Sequence, residues 1–386
     1  MKMLTSMKCL AGLALIPLLG FATPARAADD LWVTGYYRAM KQDFMPPGAL
    51  DLTVLTHVIH FSIIPGDDGS LDTRRQGLTE ARITNLVATV HAAHRQALIC
   101  VGGADSGAHF AAATAGTNLP AFVRNLTNFV ATWNYDGVDL DWEPLLPADN
   151  AAYTNLVLRL RAALDGFSGH KLLTTAINPW PKSPVTFQLF AALQTNFDQI
   201  NLMSYHTSGP HRGWITWFNA PLYSGGTVFH NGRPVPAADQ GVTGCLAAQI
   251  ARDRLGLGLA FYGMVWTGGP GVTGPREPWP ATNPPVMTDA TYPQILARYY
   301  RDSAYRWDAA AQVPYLSITN AVRTNSLFIS YEDPRSCTNK VAYTRTHRLG
   351  GLMIWELAQD YSPNLPAAQR NPLLSALKSA LAAAPK

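Results

Sequence analysis

Short apolar runs recur along the chain, and stretches of helix length with one apolar face separate several of them. The runs predict strands near Leu31–Tyr37, His57–Ile63, Ala97–Val101, Gly137–Trp142, Leu172–Ile177, Gln199–Ser204, Leu257–Tyr262 and Gly351–Trp355. Thr79–His94, Leu119–Trp133 and Ala148–Leu164 read as amphipathic helices between them. Strands that run parallel need a crossover, and a helix supplies it, so this alternation predicts a parallel sheet. Eight such units fit an α/β fold of the (β/α)8 type, a TIM barrel, in one domain over residues 28–386. A doubly wound open sheet is the alternative. Its usual nucleotide chemistry finds little support: there is no GxxxxGK[ST], and the one GxGxxG match, Gly269-Pro-Gly-Val-Thr-Gly274, is followed by prolines where a helix should open.

The early units are compact, whereas the intervals from Met203 to Leu257 and from Tyr262 to Gly351 are long and rich in Gly, Pro, Trp and Tyr. Strand-to-helix loops build the functional face of a barrel, so these intervals are expected to wall a cleft. The tail predicts a closing helix, with Asn371 as N-cap, Pro372 at the first helical position and an end near Ala383. At the other end, Lys2 and Lys8 precede an apolar run from Cys9 to Phe21 and the small-x-small triplet Ala25-Arg26-Ala27. This is the pattern of a secretory leader cleaved after Ala27, which predicts a secreted or periplasmic protein; a membrane anchor is the other reading.

Composition narrows the partners. Of 386 residues 47% are hydrophobic, enough for a large core. The whole chain has 30 basic and 26 acidic residues; without the leader's Lys2, Lys8 and Arg26, 27 basic residues face 26 acidic ones. Such balance lacks the footprint of a nucleic-acid or anionic-membrane binder and suits a neutral ligand such as a sugar. We expect a monomer. Cys100, in the apolar run Ala97–Val101, reads as a buried thiol, while Cys245 and Cys337 sit in loop-like surroundings and are candidates to pair in an exported protein. No His/Cys cluster has zinc spacing, so neither metal nor cofactor is expected.

The chemistry concentrates in Asp136-Gly-Val-Asp-Leu-Asp-Trp-Glu143. Side chains two apart on a strand share a face, so Asp139, Asp141 and Glu143 point one way, and Leu140 and Trp142 the other. In a barrel the apolar side packs on helices and the acids face inward. Carboxylates crowded out of water raise one another's proton affinity, so at least one stays protonated near neutral pH. A protonated carboxyl at a strand's C-terminal end is a proton donor for a glycosidic oxygen. Flat aromatics stack on the C–H faces of sugars. Trp214, Trp217, Trp266 and Trp279 in the long loops are therefore either sugar platforms or packing residues.

These residues resemble glycoside hydrolase family 18, the chitinase family, whose DxxDxDxE signature is met by Asp136, Asp139, Asp141 and Glu143. Gly35-Tyr36-Tyr37, Leu55–Phe61, Gln199–Tyr205, Trp217–Tyr223, Phe261-Tyr262-Gly263 and Gly350–Trp355 resemble further family segments in the family's order. The resemblance implies a retaining, substrate-assisted cleavage of β-1,4-linked N-acetylglucosamine chains such as chitin. In it Glu143 donates the proton to the leaving oxygen, Asp141 holds the acetamido N–H, Asp139 shares a proton with Asp141, and Tyr205 bonds the acetamido carbonyl. It further implies Trp355 as the pocket floor, Tyr36 and Phe61 as walls, and Met203, His206, Trp217 and Tyr262 as substrate contacts. Asp136, Gly102 and Gly103 are implied as structural support. An endo-β-N-acetylglucosaminidase acting on glycoprotein glycans or peptidoglycan, and a non-catalytic chitin-binding lectin, are the other readings. Three positions depart from the family: Cys100 stands for Ser, His206 for Asp, and Met264 for Arg. Many members carry a small α+β domain before the eighth strand. Here that interval holds Pro270, Pro275, Pro278, Pro280, Pro284 and Pro285, so it reads as irregular, without a full insertion domain.

Overall fold

The computed structural model describes residues 31–180 and 185–383; the expected leader lies outside them. In chain order its strands are β1 (Trp32–Arg38), β2 (His57–Pro65), the two-residue β3 (Leu71–Asp72), β4 (Gln96–Gly103), β5 (Gly137–Trp142), β6 (Leu172–Ile177) and β7 (Gln199–Leu202). There follow β8 (Leu255–Ala260), β9 (Tyr262–Gly268), β10 (Pro285–Thr291), β11 (Tyr305–Asp308), β12 (Val313–Ile318), β13 (Leu327–Ser330) and β14 (Gly351–Trp355). The helices are α1 (Glu80–Ala92), α2 (Gly107–Ala113), α3 (Asn118–Trp133), α4 (Asn150–Leu164), α5 (Val185–Leu193), α6 (Ala238–Ala247), α7 (Tyr292–Arg298), α8 (Pro334–Thr346) and α9 (Pro372–Ala382).

Strands β1, β2, β4, β5, β6, β7, β8 and β14 pair in parallel, and β14 pairs back onto β1, which closes an eight-stranded barrel. All eight predicted strands are found. Alternation sorts their side chains. On β4, Ala97, Ile99 and Val101 join the large core between strands and helices, while Leu98 and Cys100 face the barrel interior with Tyr36, Ile59, Ala176 and Met353. On β5, Val138, Leu140 and Trp142 pack outward, which leaves Asp139 and Asp141 inside. Helix starts follow local chemistry: the Thr79 hydroxyl accepts from Arg82 N at the head of α1, and Asp333 accepts from Ser336 N at the head of α8. The closing helix α9 begins at Pro372 as expected, but the Asn371 side chain makes no cap bond. Asp360 takes that place, its two oxygens accepting from Leu373 N and Leu374 N at 3.2 and 3.0 Å.

Two expectations are corrected. The interval before β14 is not irregular. It folds into a five-stranded antiparallel sheet in the order β10-β9-β13-β12-β11, with α7 following β10, so a small α+β insert is present. The prolines crowd only the loop from Gly269 to Pro285. The last of them opens β10, an edge strand, where a missing N–H costs no ladder bond. Nor are the cysteines in loops. Cys245 lies on α6 and Cys337 on α8, both buried in the outer core, and all three described cysteines are free thiols. Cys100 is buried, as expected.

Candidate active site

The acids climb β5 from bottom to top. Asp136, just before the strand, does not reach the pocket: its Oδ2 accepts from Ala97 N at 2.7 Å and meets His91 Nε2 at 2.8 Å, tying the start of β4 to α1. Asp139 and Asp141 are buried in the barrel, and Glu143 stands at its mouth. Beside them β4 ends in Gly102 and Gly103, with φ of +105° and +114°. A Cβ on Gly102 would lie 2.1 Å from Asp141 O, and one on Gly103 2.5 Å from Phe61 Cζ. Only glycine lets β4 turn here while touching β5 and the Phe61 ring.

Asp139 has a full complement of donors. Tyr36 OH donates to Oδ2 at 2.7 Å and Thr174 Oγ1 to Oδ1 at 2.6 Å, and the Cys100 thiol adds a third bond. Burial still pushes its proton affinity up. Asp141 is raised much further, by burial and by the charges of Glu143 and Asp139, and a hydrogen bond joins it to Glu143. Asp141 and Glu143 therefore titrate as a pair, and burial holds a proton on that pair more tightly than on a free carboxyl. Burial raises Glu143 as well, with a smaller contribution from Asp105. Asp141 Oδ1 is buried without a hydrogen-bond partner. Asp139 acts on Asp141 through its charge, and Asp141 is hydrogen-bonded to Glu143.

Above the acids opens a pocket of about 470 Å³ whose lining includes Tyr36, Phe61, Met203, Tyr205, Tyr262 and Trp355. Trp355 packs edge-on to Phe61 at 4.9 Å and tilted to Tyr36 at 5.5 Å, so the floor is held by its neighbours. Tyr205 OH reaches only the Met353 sulfur at 3.6 Å, a weak acceptor, and remains available to a stronger one. His206 sits exposed at the mouth with φ +55°; partial desolvation biases it toward the neutral form, opposed by Asp289 of the insert and assisted by His211. Met264 is buried in the cluster beneath the pocket and pairs with Asp289 across the insert sheet.

Trp217 is the expected contact that the structure moves elsewhere. It is fully buried beside Phe218, its indole N–H donates to Pro236 O at 2.8 Å, and Arg276 lies over its ring. Trp266 is likewise buried in that cluster, with Trp279 tilted against it. Both tryptophans cement the insert to the loop after β7. In exchange, Trp180 and Asn178, which strand reading passed over, line the pocket, together with Arg38 and Gln76. Thr174 was missed for another reason: a threonine within an apolar strand carries no signal of its partner. Glu143 is also pinned through its backbone, its carbonyl accepting from Gly107 N at 2.7 Å where α2 begins. Among the described residues no group of three or more His, Cys, Asp or Glu side chains could hold a metal ion. No described helix is long and apolar enough to cross a membrane.

The profile of the family described as Glycosyl hydrolases family 18 matches residues 33–360. Chitinase A1 of Niallia circulans is 32% identical over 294 residues, covering 69% of this chain and 41% of that protein. A probable endochitinase of Caenorhabditis elegans is 29% identical over 267 residues, covering 64% of this chain and 41% of that protein. The matched part thus spans about two fifths of these relatives. Among solved structures, the Ostrinia furnacalis Group IV chitinase in complex with allosamidin superposes with a TM-score of 0.76 at 22% identity, over 92% of this chain and 99% of that one.

Proposed function

The chain belongs to glycosyl hydrolase family 18, and from that premise we propose that it hydrolyses β-1,4-linked N-acetylglucosamine polymers and oligomers, chitin foremost, with retention of anomeric configuration. The observation that carries the reading is the Asp141–Glu143 pair: a buried carboxyl and a half-buried one stand together at the mouth of an aromatic-floored pocket, both holding protons more tightly than free acids, and no described donor reaches Asp141 Oδ1. A sugar seated on Trp355 brings its acetamido N–H to Asp141. The arriving donor stabilises the Asp141 carboxylate, so the proton passes to Glu143. Glu143 then protonates the glycosidic oxygen as the acetamido oxygen attacks the anomeric carbon, and Tyr205 holds that carbonyl in line. The positive oxazolinium intermediate lies against the Asp141 carboxylate, and Asp139 below, held by Tyr36 and Thr174, adds its negative charge to the same site. Glu143 finally takes a proton from the water that opens the ring.

Glu143→Gln keeps the shape and removes the acid. Turnover of colloidal chitin and N-acetylglucosamine oligomers is expected to fall by about 10²–10⁴-fold with binding retained, and the first product of the parent protein is expected to be the β-anomer by NMR. Equal product from both proteins would eliminate Glu143 as the acid. Release of glycans from a glycoprotein with chitin untouched would transfer the reading to the endo-β-N-acetylglucosaminidase class. Export is part of the proposal, on the strength of the residue 1–27 pattern. N-terminal sequencing of the protein from its native host should begin at Ala28, and an intact Met1 in the working protein refutes cleavage.

A further inference from the structure

Trp180 has a space on each side of it. One is the pocket above the acids; the other is a groove of about 970 Å³ between α5, α6 and the long loop that joins β7 to α6. Trp214 and Phe229 stand in this groove with ring centres 4.8 Å apart. Its lining includes the guanidinium groups of Arg212 and Arg233 and the imidazole of His230, and no carboxylate lines it among the described residues. Neither arginine forms an ion pair among the described residues. The turn that presents His230 and Arg233 is built rather than loose: Phe229 N donates to Arg233 O at 2.8 Å, Gly232 N to Phe229 O at 2.9 Å and Val235 N to Thr227 O at 3.2 Å. A further guanidinium, Arg38, lines the catalytic pocket from β1, across the barrel from β6, and its Nε is buried without a hydrogen-bond partner.

Aromatic faces stack on sugar rings, and a guanidinium fork fits a carboxylate through two parallel bonds. A wholly neutral chain would offer no carboxylate to Arg212 and Arg233, whereas an acidic one would. We propose that the groove beyond Trp180 is a further subsite of the same cleft and that it takes a carboxylate-bearing sugar. The cleft then prefers an N-acetylhexosamine chain with acidic substituents over fully neutral chitin. This inference rests on the reading of the pocket as a glycosidase site.

Two chitin derivatives of similar bulk separate the ideas: carboxymethyl chitin, which is anionic, and glycol chitin, which is neutral. Binding is read first, by affinity electrophoresis of the Glu143→Gln protein in gels holding each polymer. Affinity for carboxymethyl chitin is expected to be about ten-fold higher at low salt, and the preference should vanish near about 0.5 M salt, where exposed charges are screened. Adding Arg212→Gln and Arg233→Gln should bring the ratio between the polymers to one, whereas Arg212→Lys with Arg233→Lys should retain part of it. Thermal melting of both double variants confirms that they are folded. Equal affinity for the two chitins overturns the proposal. So does equal affinity for carboxymethyl chitin and carboxymethyl cellulose, because the latter carries charge without acetamido groups and reports simple ion exchange. Turnover by the protein with Glu143 intact is read separately. A binding preference without cleavage of either polymer removes the glycosidase reading and leaves the groove; cleavage of both without a binding preference does the reverse.

Discussion

Asp139 illustrates how much of the chemistry sits in single hydroxyls. Its carboxylate is buried, yet Tyr36 and Thr174 supply donors that favour the charged form against the cost of desolvation. Tyr36→Phe removes one donor and keeps the ring. The proton affinity of Asp139 should then rise, so the acid limb of the kcat/KM profile should move to higher pH, with turnover at the optimum down by about ten-fold, the worth of one charged hydrogen bond. A pH–rate profile that superposes on the parent's would show that Tyr36 acts only as a wall. Period-two alternation made the inward set of acids legible from sequence. The role of Tyr36 was half legible, because its hydroxyl meets a strand 103 residues away and no local pattern records that distance. His206 lay at the opposite extreme: the sequence marked it as a titratable newcomer, and only its surroundings, desolvation set against Asp289, indicate that it is biased toward neutral.

At the scale of elements, the insert is where local reading failed and why it failed is visible. Pro-rich chain interrupts it between β9 and β10, and its outer strands are half exposed: β10 buries only Pro285 and Ala290, and β11 buries none of its residues fully. Neither an apolar run nor clean alternation survives in such strands. The insert is nonetheless tied to the barrel by the cluster of Trp217, Phe218, Trp266, Val313 and Phe328. Trp217→Ala is therefore expected to cost about 3–5 kcal/mol of stability through the cavity it leaves, while KM for short oligomers changes less than about two-fold, since the ring is not in the pocket. Denaturant unfolding and steady-state kinetics on one preparation check both halves; a large KM increase at unchanged stability would return Trp217 to the substrate. The end of the chain makes a related point. Asn371 and Pro372 marked the start of α9 correctly, but the cap comes from Asp360, which reaches the helix from eleven residues upstream of Asn371.

Across the whole molecule, four buried acids lean the same way. Asp139, Asp141, Glu356 and Asp360 all bind their protons more tightly than free carboxyls, each chiefly through burial. For Glu356, beside Trp355 at the end of β14, the value is pushed up from 4.5 to about 7. Between those values the folded protein holds a proton that the unfolded chain has lost. Stability is thus fully present below pH 4.5 for this group and declines as pH rises to 7. Glu356→Gln should flatten that decline and leave the protein more stable than the parent at pH 8, by on the order of 3 kcal/mol at most, as measured by denaturant midpoints at pH 5 and pH 8. Parallel pH dependences in the two proteins would rule Glu356 out as the source. The sequence by itself determined the barrel, the order of its strands and the face on which Asp139, Asp141 and Glu143 stand, because alternation and crossover length are local properties of the chain. Tertiary structure alone decided which hydroxyls meet Asp139, that Trp180 rather than Trp217 lines the pocket, and that an α+β insert precedes β14. Those outcomes depend on burial and on partners distant in sequence, and neither is encoded in any short run of residues.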